Sequence, residues 1–198
     1  MSFTTLLHSL ESELNNIHAP VCKYLNEALT TSQMETISKD LNISLPDELI
    51  DLYSWKNGTK WKEDVYLGHL ALFPGAMLMP FERAIEAYKV RSGQDQWWKH
   101  SMLPIFEFGG DFYLLDLNPT SSNYKRILYY CLNETDFEVI ISIYDSIQTC
   151  IQTVLECYRT KAYFINAELF VDTVPELERT IAKKLNPNSE FYMLADKN

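Results

Sequence analysis

Glycine, basic residues and long apolar stretches are all scarce in this sequence, and each scarcity argues against a class of protein. The 198 residues include only six glycines, none of them in the GxGxxG or GxxxxGK[ST] patterns that cradle a nucleotide phosphate. Lysine and arginine number 17 against 27 aspartates and glutamates, which gives a net charge of −10. A chain this acidic repels the phosphate backbone of a nucleic acid, so we expect neither nucleotides nor nucleic acids as ligands.

Membrane-spanning and disulfide-bonded proteins are also poor matches. No apolar run approaches the ~20 residues that a membrane-spanning helix needs. Met1 to Leu10 lacks the basic region and cleavage pattern of a secretion signal. Cys22, Cys131, Cys150 and Cys157 show no CxxC spacing and are too few for a disulfide scaffold. We therefore expect a cytoplasmic, reduced protein without metal or cofactor, in which the cysteines are small core side chains.

The abundant residues are those of a folded domain. Hydrophobic residues make up 46% of the sequence and aromatic residues 13%, enough to fill a sizeable core. The length suits one domain with appendages. The acidity has two interpretations, since it can serve solubility alone or mark a face that binds a cationic partner.

Six segments carry apolar residues at the spacing that places them on one face of an α-helix. They are residues 4–17, 32–41, 46–58, 80–92, 147–158 and 175–187. Ser32 with Glu35 and Thr173 with Glu176 match the capping box, in which a hydroxyl and a carboxylate pair free N–H groups at a helix start. These two pairs therefore predict the starts of the second and the last helix.

Other local signals set helix ends and a loop. Asn57-Gly58 predicts the end of the third helix, because glycine tolerates the left-handed conformation found there. Either Asp145 or Ser146 is expected to cap the fifth. Residues 59–75 lose the helical period and predict an ordered loop with a short strand at about residues 65–67.

The middle of the chain changes to β-rich runs. They occupy residues 102–108, 112–117, 127–131 and 137–143. Gly109-Gly110 supplies a tight turn between the first two, so consecutive strands should pair as an antiparallel meander. Helices precede and follow the strands rather than alternate with them. The prediction is an α+β single domain: a twisted, mainly antiparallel sheet of four to six strands with helices packed around it.

Catalytic patterns are weak. The histidines His8, His18, His69 and His100 form no HExxH motif, and no GxSxG elbow occurs. A cysteine–histidine dyad stays open, because such partners are often remote in sequence.

Acidic residues around one hairpin are a further possibility. Glu107, Asp111 and Asp116 could divide acid and base roles, as paired carboxylates do in glycosidases. Strand alternation, however, places Asp111 and Asp116 on opposite faces of the sheet. A turn aspartate and a strand-end aspartate explain them more simply, and we predict no enzyme.

Four motifs, in this order along the chain, resemble a known superfamily. They are Ser44–Leu49 (SLPDEL), Asn57-Gly58, Leu103–Phe106 (LPIF) and Gly110–Pro119 (GDFYLLDLNP). Their order and spacing are similar to those of the SUKH superfamily, which includes fungal cell-wall-synthesis regulators and bacterial immunity proteins of polymorphic toxin systems. The sequence departs from the pattern at Asn118, where an acid is common.

The resemblance implies a single α+β domain that binds a partner and has no catalytic residue to carry over. Its core covers about residues 32–158. The N-terminal helix at about 4–17 and a C-terminal helical extension at about 159–198 are additions, candidates for oligomer or partner surfaces. Bacterial members of the superfamily dock onto a toxin domain, often a nuclease, and block it.

Two functions follow as hypotheses. The first is an immunity protein that binds and neutralises a cognate toxin. The alternative is a regulatory or scaffold protein like the fungal relatives. The residues predicted to contact a protein partner are Trp61, Glu63, Asp64, Trp97 and Trp98. Tryptophans beside charges are typical of interface anchors, whereas Trp55 is interpreted as a core residue.

Overall fold

The computed structural model describes residues 1–41, 43–93, 98–131 and 140–194. The helices are α1 Phe3–Asn16, α2 Thr31–Ser38, α3 Asp47–Trp55, α4 Phe81–Arg91, α5 Ile147–Arg159, α6 Pro175–Leu185 and α7 Glu190–Leu194. The strands are β1 Met77–Leu78, β2 Met102–Phe108, β3 Asp111–Asp116, β4 Ile127–Tyr130, β5 Ile141–Tyr144, β6 Tyr163–Ile165 and β7 Val171–Thr173.

Strands β1 to β5 form one antiparallel sheet in sequence order, and β6 pairs with β7 in a separate hairpin. The register of the central pair joins Met102 to Asp116 and Phe108 to Asp111. Helix α4 packs on β2, while α1, α3 and α5 pack on one another. The predicted α+β class and the meander are confirmed.

Helix α1 belongs to the hydrophobic core of the domain. Its leucine stripe, Leu7, Leu10 and Leu14, is fully buried, and the helix packs on α3 and α5. Ser2 caps it by accepting a hydrogen bond from the Thr5 backbone N–H at 3.2 Å. The apolar face of this N-terminal helix is therefore not available to a partner or to a second copy.

A polar contact on the outside of α1 links it to α3. Glu11 accepts a hydrogen bond from Trp55 Nε1 at 3.0 Å and pairs with Lys56 Nζ at 2.9 Å. Burial by itself raises the pKa of Glu11. The hydrogen bonds from Lys56 and Trp55, with the charges of Lys56 and His8, outweigh it and lower the pKa from its ordinary value of 4.5.

This contact predicts a pH dependence of stability. Because the pKa of Glu11 is lower in the folded chain, its stabilisation is present above about pH 4.5 and is lost as the pH falls through the folded pKa. Glu11→Gln should lower the free energy of unfolding by up to about 1 kcal/mol at pH 7. Urea denaturation at several pH values should show this difference shrink below pH 4.5, and a difference that grows on acidification would contradict it.

The buried side chain of Asn186 attaches the segment after α5 to the core of the domain. This buried side chain donates to Thr153 Oγ1 and to the Ala182 carbonyl, both at 3.0 Å, and accepts from the Asp145 N–H at 3.1 Å. The bonds to Thr153 and Asp145 join the end of α6 to the middle of α5 and to the end of β5, and the bond to Ala182 closes the last turn of α6.

We expect Asn186→Ala to lower the free energy of unfolding by about 2–3 kcal/mol, because it removes three hydrogen bonds at a buried position and leaves the Asp145 N–H without its partner. Asn15→Ala, an exposed change on α1, is the matched control and should stay within about 0.5 kcal/mol of the unmodified chain. Equal urea midpoints for the two variants would show that the C-terminal extension is not held to the core in this way.

The free edge of β5 is covered by the same extension. The Ser142 backbone N–H donates to Glu190 Oε2 at 3.1 Å, and Ser189 Oγ donates to the Ser142 carbonyl at 3.1 Å. Covering an edge strand in this way prevents unwanted pairing with another chain. Sequence patterns predicted neither α7 nor this contact.

Both predicted capping boxes are wrong in position. Helix α2 is capped by Thr30, whose Oγ1 accepts from the Gln33 N–H at 3.3 Å while Gln33 Oε1 accepts from the Thr30 N–H at 2.8 Å. This pair has the same spacing as Ser32 with Glu35, which both lie inside the helix. The sequence alone could not choose between them.

At α6 the cap is Val174, because Thr173 still belongs to β7, where it pairs with Tyr163. The Thr173 hydroxyl donates to Glu178 Oε2 at 2.9 Å instead of capping the helix. Of the two residues predicted as the cap of α5, Asp145 and Ser146, the structure shows Ser146. Its Oγ accepts from the Thr149 N–H at 3.1 Å.

Asn57 and Gly58 do not end α3, as predicted, but contact the first residues of α4 and those just before it. Helix α3 ends at Trp55. Asn57 Oδ1 accepts from the Phe81 N–H at 2.7 Å, and its Nδ2 donates to Glu82 Oε2 at 3.0 Å. Gly58 has a φ of +68° and passes so close to the residues before α4 that a Cβ there would lie 2.3 Å from the Pro80 nitrogen.

Other local predictions also need correction. Residues 65–67 form no strand, and a 3-10 helix follows at Leu67–Leu70. The patterns missed the short strands β1, β6 and β7. Residues 137–139 of the predicted fourth strand lie outside the described residues, and β5 begins at Ile141.

The cysteine prediction holds for only two of the four thiols. Cys150 and Cys157 are buried on α5, whereas Cys22 and Cys131 are partly exposed. All four are free. Cys22 lies in the 3-10 turn Pro20–Lys23 and packs against the edge of the core, whereas Cys131 follows the end of β4.

Candidate functional site

The loop that carries Trp61 leaves the edge of the sheet and turns into solvent. The Thr59 N–H donates to the Leu78 carbonyl at 2.9 Å, which fixes the start of the loop beside β1. A turn closed by the Val65 N–H and the Lys62 carbonyl at 3.1 Å places Glu63 and Asp64 at its corner. Both carboxylates are exposed.

Trp61 itself is 55% exposed, which is unusual for so large an apolar side chain. Trp55, in contrast, is buried and hydrogen-bonded to Glu11, as its core interpretation requires.

Trp98 is a core residue, so its selection as a contact residue is corrected. It is 1% exposed, and its ring packs against Phe112 at 5.1 Å and Tyr130 at 5.5 Å between centroids. Its Nε1 donates to the Met102 carbonyl at 2.8 Å. The side chain has no surface to offer a partner. Trp97, the other tryptophan of the pair, lies outside the described residues.

The loop meets the β6–β7 hairpin through an aromatic contact. Ring centroids are 6.3 Å apart between Tyr66 and Phe170 and 5.2 Å apart between His69 and Phe170. His69 Nε2 lies 3.1 Å from the Glu168 carbonyl. Gly68 passes beside Phe170 so closely that a Cβ would lie 2.5 Å from its ring. We call residues 61–69 and 164–172 together the loop–hairpin surface.

Exposed apolar side chains concentrate on this surface. Within the described residues, eleven large hydrophobic side chains are exposed, and five of them belong to it. They are Trp61, Tyr66, Leu67, Phe164 and Leu169. Grouped exposed hydrophobic residues of this kind mark protein interaction sites more often than single ones do.

The charges of the loop–hairpin surface are predominantly negative. This surface contains one lysine, Lys62, and four acidic residues, which are Glu63, Asp64, Glu168 and Asp172. None of the four carboxylates forms a salt bridge within the part of the chain that the structure describes. The surface therefore combines apolar side chains with unpaired negative charge, which suits a basic protein partner.

The carboxylates that suggested acid–base chemistry have structural partners. Asp111 accepts from the Tyr129 hydroxyl at 2.7 Å. Asp116 is buried at the end of β3 and accepts from the Asn118 N–H at 2.9 Å. Glu107 pairs with Arg83 at 3.6 Å. Each carboxylate therefore stabilises a local turn, strand pair or helix contact.

Thiol chemistry is disfavoured where the structure gives a pKa. Burial raises the pKa of Cys22 and of Cys150, and it raises that of Cys157 to about 12. A thiol that stays protonated is a weak nucleophile.

The described ranges offer neither a metal-binding cluster nor a membrane-spanning helix. No group of three or more histidine, cysteine or acidic side chains in those ranges is arranged to hold a metal ion. None of the helices in the same ranges combines the length and apolarity needed to cross a membrane.

Helices α2 to α5 and the five-stranded sheet form the α+β part of the chain that lies largely within residues 28–153. The chain belongs to the SMI1 / KNR4 family (SUKH-1), whose model matches residues 28–153. No curated protein matches the chain. The matched range contains the loop half of the loop–hairpin surface, whereas the hairpin half lies beyond it.

The residues predicted from the sequence to contact a partner include three in the loop half of the surface and none in the hairpin half. Trp61, Glu63 and Asp64 are predicted because a tryptophan beside charges in an irregular segment is typical of an interface anchor. The hairpin carried a weak signal, because the β-rich residues 163–165 and 170–173 flank Asn166, a residue that favours turns. The contact between the two halves joins residues about a hundred positions apart, and no local pattern reports it.

Proposed function

We propose that this protein is a cytoplasmic immunity protein that binds a cognate toxin domain through the loop–hairpin surface and occludes the toxin's active site. Membership of the SUKH-1 family carries the proposal, because the superfamily resemblance implies immunity proteins among its bacterial members. The function needs binding and steric exclusion only, without a cofactor or a chemical step of its own.

The charge of the surface supports this choice of partner. Toxin nucleases must bind a polyanion, so their active-site faces carry positive charge. The carboxylates Glu63 and Asp64 complement such a face and speed its encounter with the chain, while Trp61 offers the apolar area of an interface anchor. The two carboxylates would thus speed the association of a basic toxin domain, and Trp61 would slow its dissociation.

Kinetic measurements separate these two contributions. Changing Glu63 and Asp64 to lysine should slow association and reduce its salt sensitivity, because both changes act on long-range attraction. Trp61→Ala should mainly speed dissociation and cost about 2 kcal/mol of binding free energy. Surface plasmon resonance at several ionic strengths, with the C-terminal domain of a toxin encoded by a neighbouring gene, measures both.

Matched controls come from exposed residues outside the surface. Glu35→Lys on α2 and Tyr124→Ala between β3 and β4 should leave both rate constants within about twofold, as expected for changes away from the interface. Unchanged rates in all three test variants, with folding verified by circular dichroism, would remove the loop from the interface.

Protection of cells tests the biological half of the proposal. Co-expression with the toxin domain should restore growth, and a chain that neither binds nor protects would not be the immunity protein of that toxin. If no toxin gene lies beside the gene for this chain, the alternative of a regulatory or scaffold protein becomes the leading hypothesis.

A further inference from the structure

The tip of the β6–β7 hairpin is a tightly ordered turn. Asn166 Oδ1 accepts from the Glu168 N–H at 3.1 Å and from the Phe170 N–H at 2.9 Å. The Asn166 backbone adds two more bonds, its N–H to the Phe170 carbonyl at 2.9 Å and its carbonyl to the Leu169 N–H at 3.0 Å. These four hydrogen bonds therefore hold the backbone of the tip in one conformation in the unbound chain.

Leu169 sits in this turn with a left-handed backbone, at a φ of +65°. Such a conformation is disfavoured for a bulky side chain and is normally taken by glycine or asparagine. The other described residues besides glycine with positive φ are His18, Lys125 and Lys161, so Leu169 is the one apolar example among them. It is also 53% exposed, so core packing does not explain why a leucine occupies this position.

The surroundings of Leu169 specify the chemistry of an occupant. Tyr66, which is 72% exposed, contacts the ring of Phe170 next to Leu169. Glu168 and Asp172 add exposed carboxylates on the hairpin. An exposed aromatic ring on the same surface as exposed carboxylates matches the planar cation of arginine, whose methylene stem packs on apolar side chains.

We propose that the hairpin tip and Tyr66 bind an arginine-bearing basic segment of a protein partner. Leu169 contacts the stem of the arginine, the ring of Tyr66 stacks on its guanidinium, and Glu168 and Asp172 complement its charge. This inference rests on the proposed function only in that the partner is a basic protein. Because the hairpin lies outside the range matched by the family, the extension would set which partner this chain selects.

The direct test is an NMR titration of the full, ¹⁵N-labelled chain with a short capped peptide of alternating arginine and glycine. Peptides of the same length with lysine or glutamate in place of arginine are the comparisons. We expect saturable shift changes at residues 66–69 and 166–170, stronger binding of the arginine than of the lysine peptide, and no shift changes with the glutamate peptide. Shift changes spread over other acidic surfaces, equal binding of the arginine and lysine peptides, or no binding would overturn the inference.

Two variants distinguish a binding role from a structural one. Tyr66→Ala and Leu169→Asn should each lower the affinity for the arginine peptide about tenfold, as expected when a typical anchor residue is lost. Leu169→Asn should keep or raise the thermal midpoint, because asparagine tolerates the left-handed backbone. A clear fall in that midpoint would show that Leu169 holds the hairpin together, and the inference would be wrong.

Two exposed residues outside the surface provide control variants, and sedimentation measures the oligomeric state of the chain. Tyr124→Ala and Val90→Asn change exposed residues elsewhere and should leave peptide affinity unchanged. Sedimentation should show a monomer, and a dimer abolished by Tyr66→Ala would mean that a second copy occupies the surface. Peptide binding without protection against a toxin would reject the immunity proposal alone, whereas protection without peptide binding would reject this surface alone.

Discussion

Replacing Gly58 with alanine should lower the free energy of unfolding by about 3 kcal/mol or more, because two costs add. The left-handed backbone at φ +68° disfavours any side chain, and the new Cβ would lie 2.3 Å from the Pro80 nitrogen and 2.4 Å from the Met79 carbonyl carbon. Backbone atoms cannot move aside as a flexible side chain can. Urea denaturation followed by circular dichroism measures the loss.

Gly75 provides the control for this prediction. It has the same φ of +68°, but a Cβ added there would meet no atom within 4 Å. Gly75→Ala should therefore cost only the conformational part, about 1 kcal/mol. If both variants lost the same stability, the close approach between Gly58 and the start of α4 would not be a constraint on the fold.

Trp98→Ala is the second change for which we expect a large effect, a loss of about 3–5 kcal/mol of unfolding free energy. The reason is that the ring fills the space against Phe112 and Tyr130, and its N–H bonds the Met102 carbonyl. Trp61→Ala, with a largely exposed ring, should change stability by no more than about 0.5 kcal/mol.

The pair of variants separates a core tryptophan from a surface one. Chemical denaturation should give a much lower midpoint for Trp98→Ala and an unchanged midpoint for Trp61→Ala. The reverse order would mean that the two side chains have exchanged roles, and Trp98 would then return as a candidate contact residue.

The regular elements were predictable because their signals are local and repeated. Helix α5 carries apolar residues on one face along its whole length, and Gly109-Gly110 marks the turn between β2 and β3. The signals failed where two solutions share one spacing, as for Thr30 and Ser32 at the start of α2.

They failed also where a residue acts across the fold. Asn57 and Gly58 follow a helix in sequence, but their contacts lie with Phe81 and Pro80 at the start of the next one. A turn pattern shows that the chain must bend there. It does not show which distant backbone the bend approaches, so the role of Asn57 needed the structure.

The candidate site was half predictable for a similar reason. Trp61, Glu63 and Asp64 stand out as a large aromatic residue among charges in an irregular segment. Adjacent tryptophans at positions 97 and 98 give no local reason to prefer either for the core, and the burial of Trp98 is decided by its neighbours in β3 and β4. The hairpin half depends on a tertiary contact made by Phe170.

The central claim is that the loop–hairpin surface is where this protein binds its partner. Hydrogen–deuterium exchange of the full chain, alone and in complex with the toxin domain encoded by a neighbouring gene, tests it most directly. We predict slower exchange on binding at residues 61–69 and 164–172, with the edge of β5 and helix α2 unchanged. Protection at α2 or β5, with these two segments exchanging as in the free chain, would contradict it.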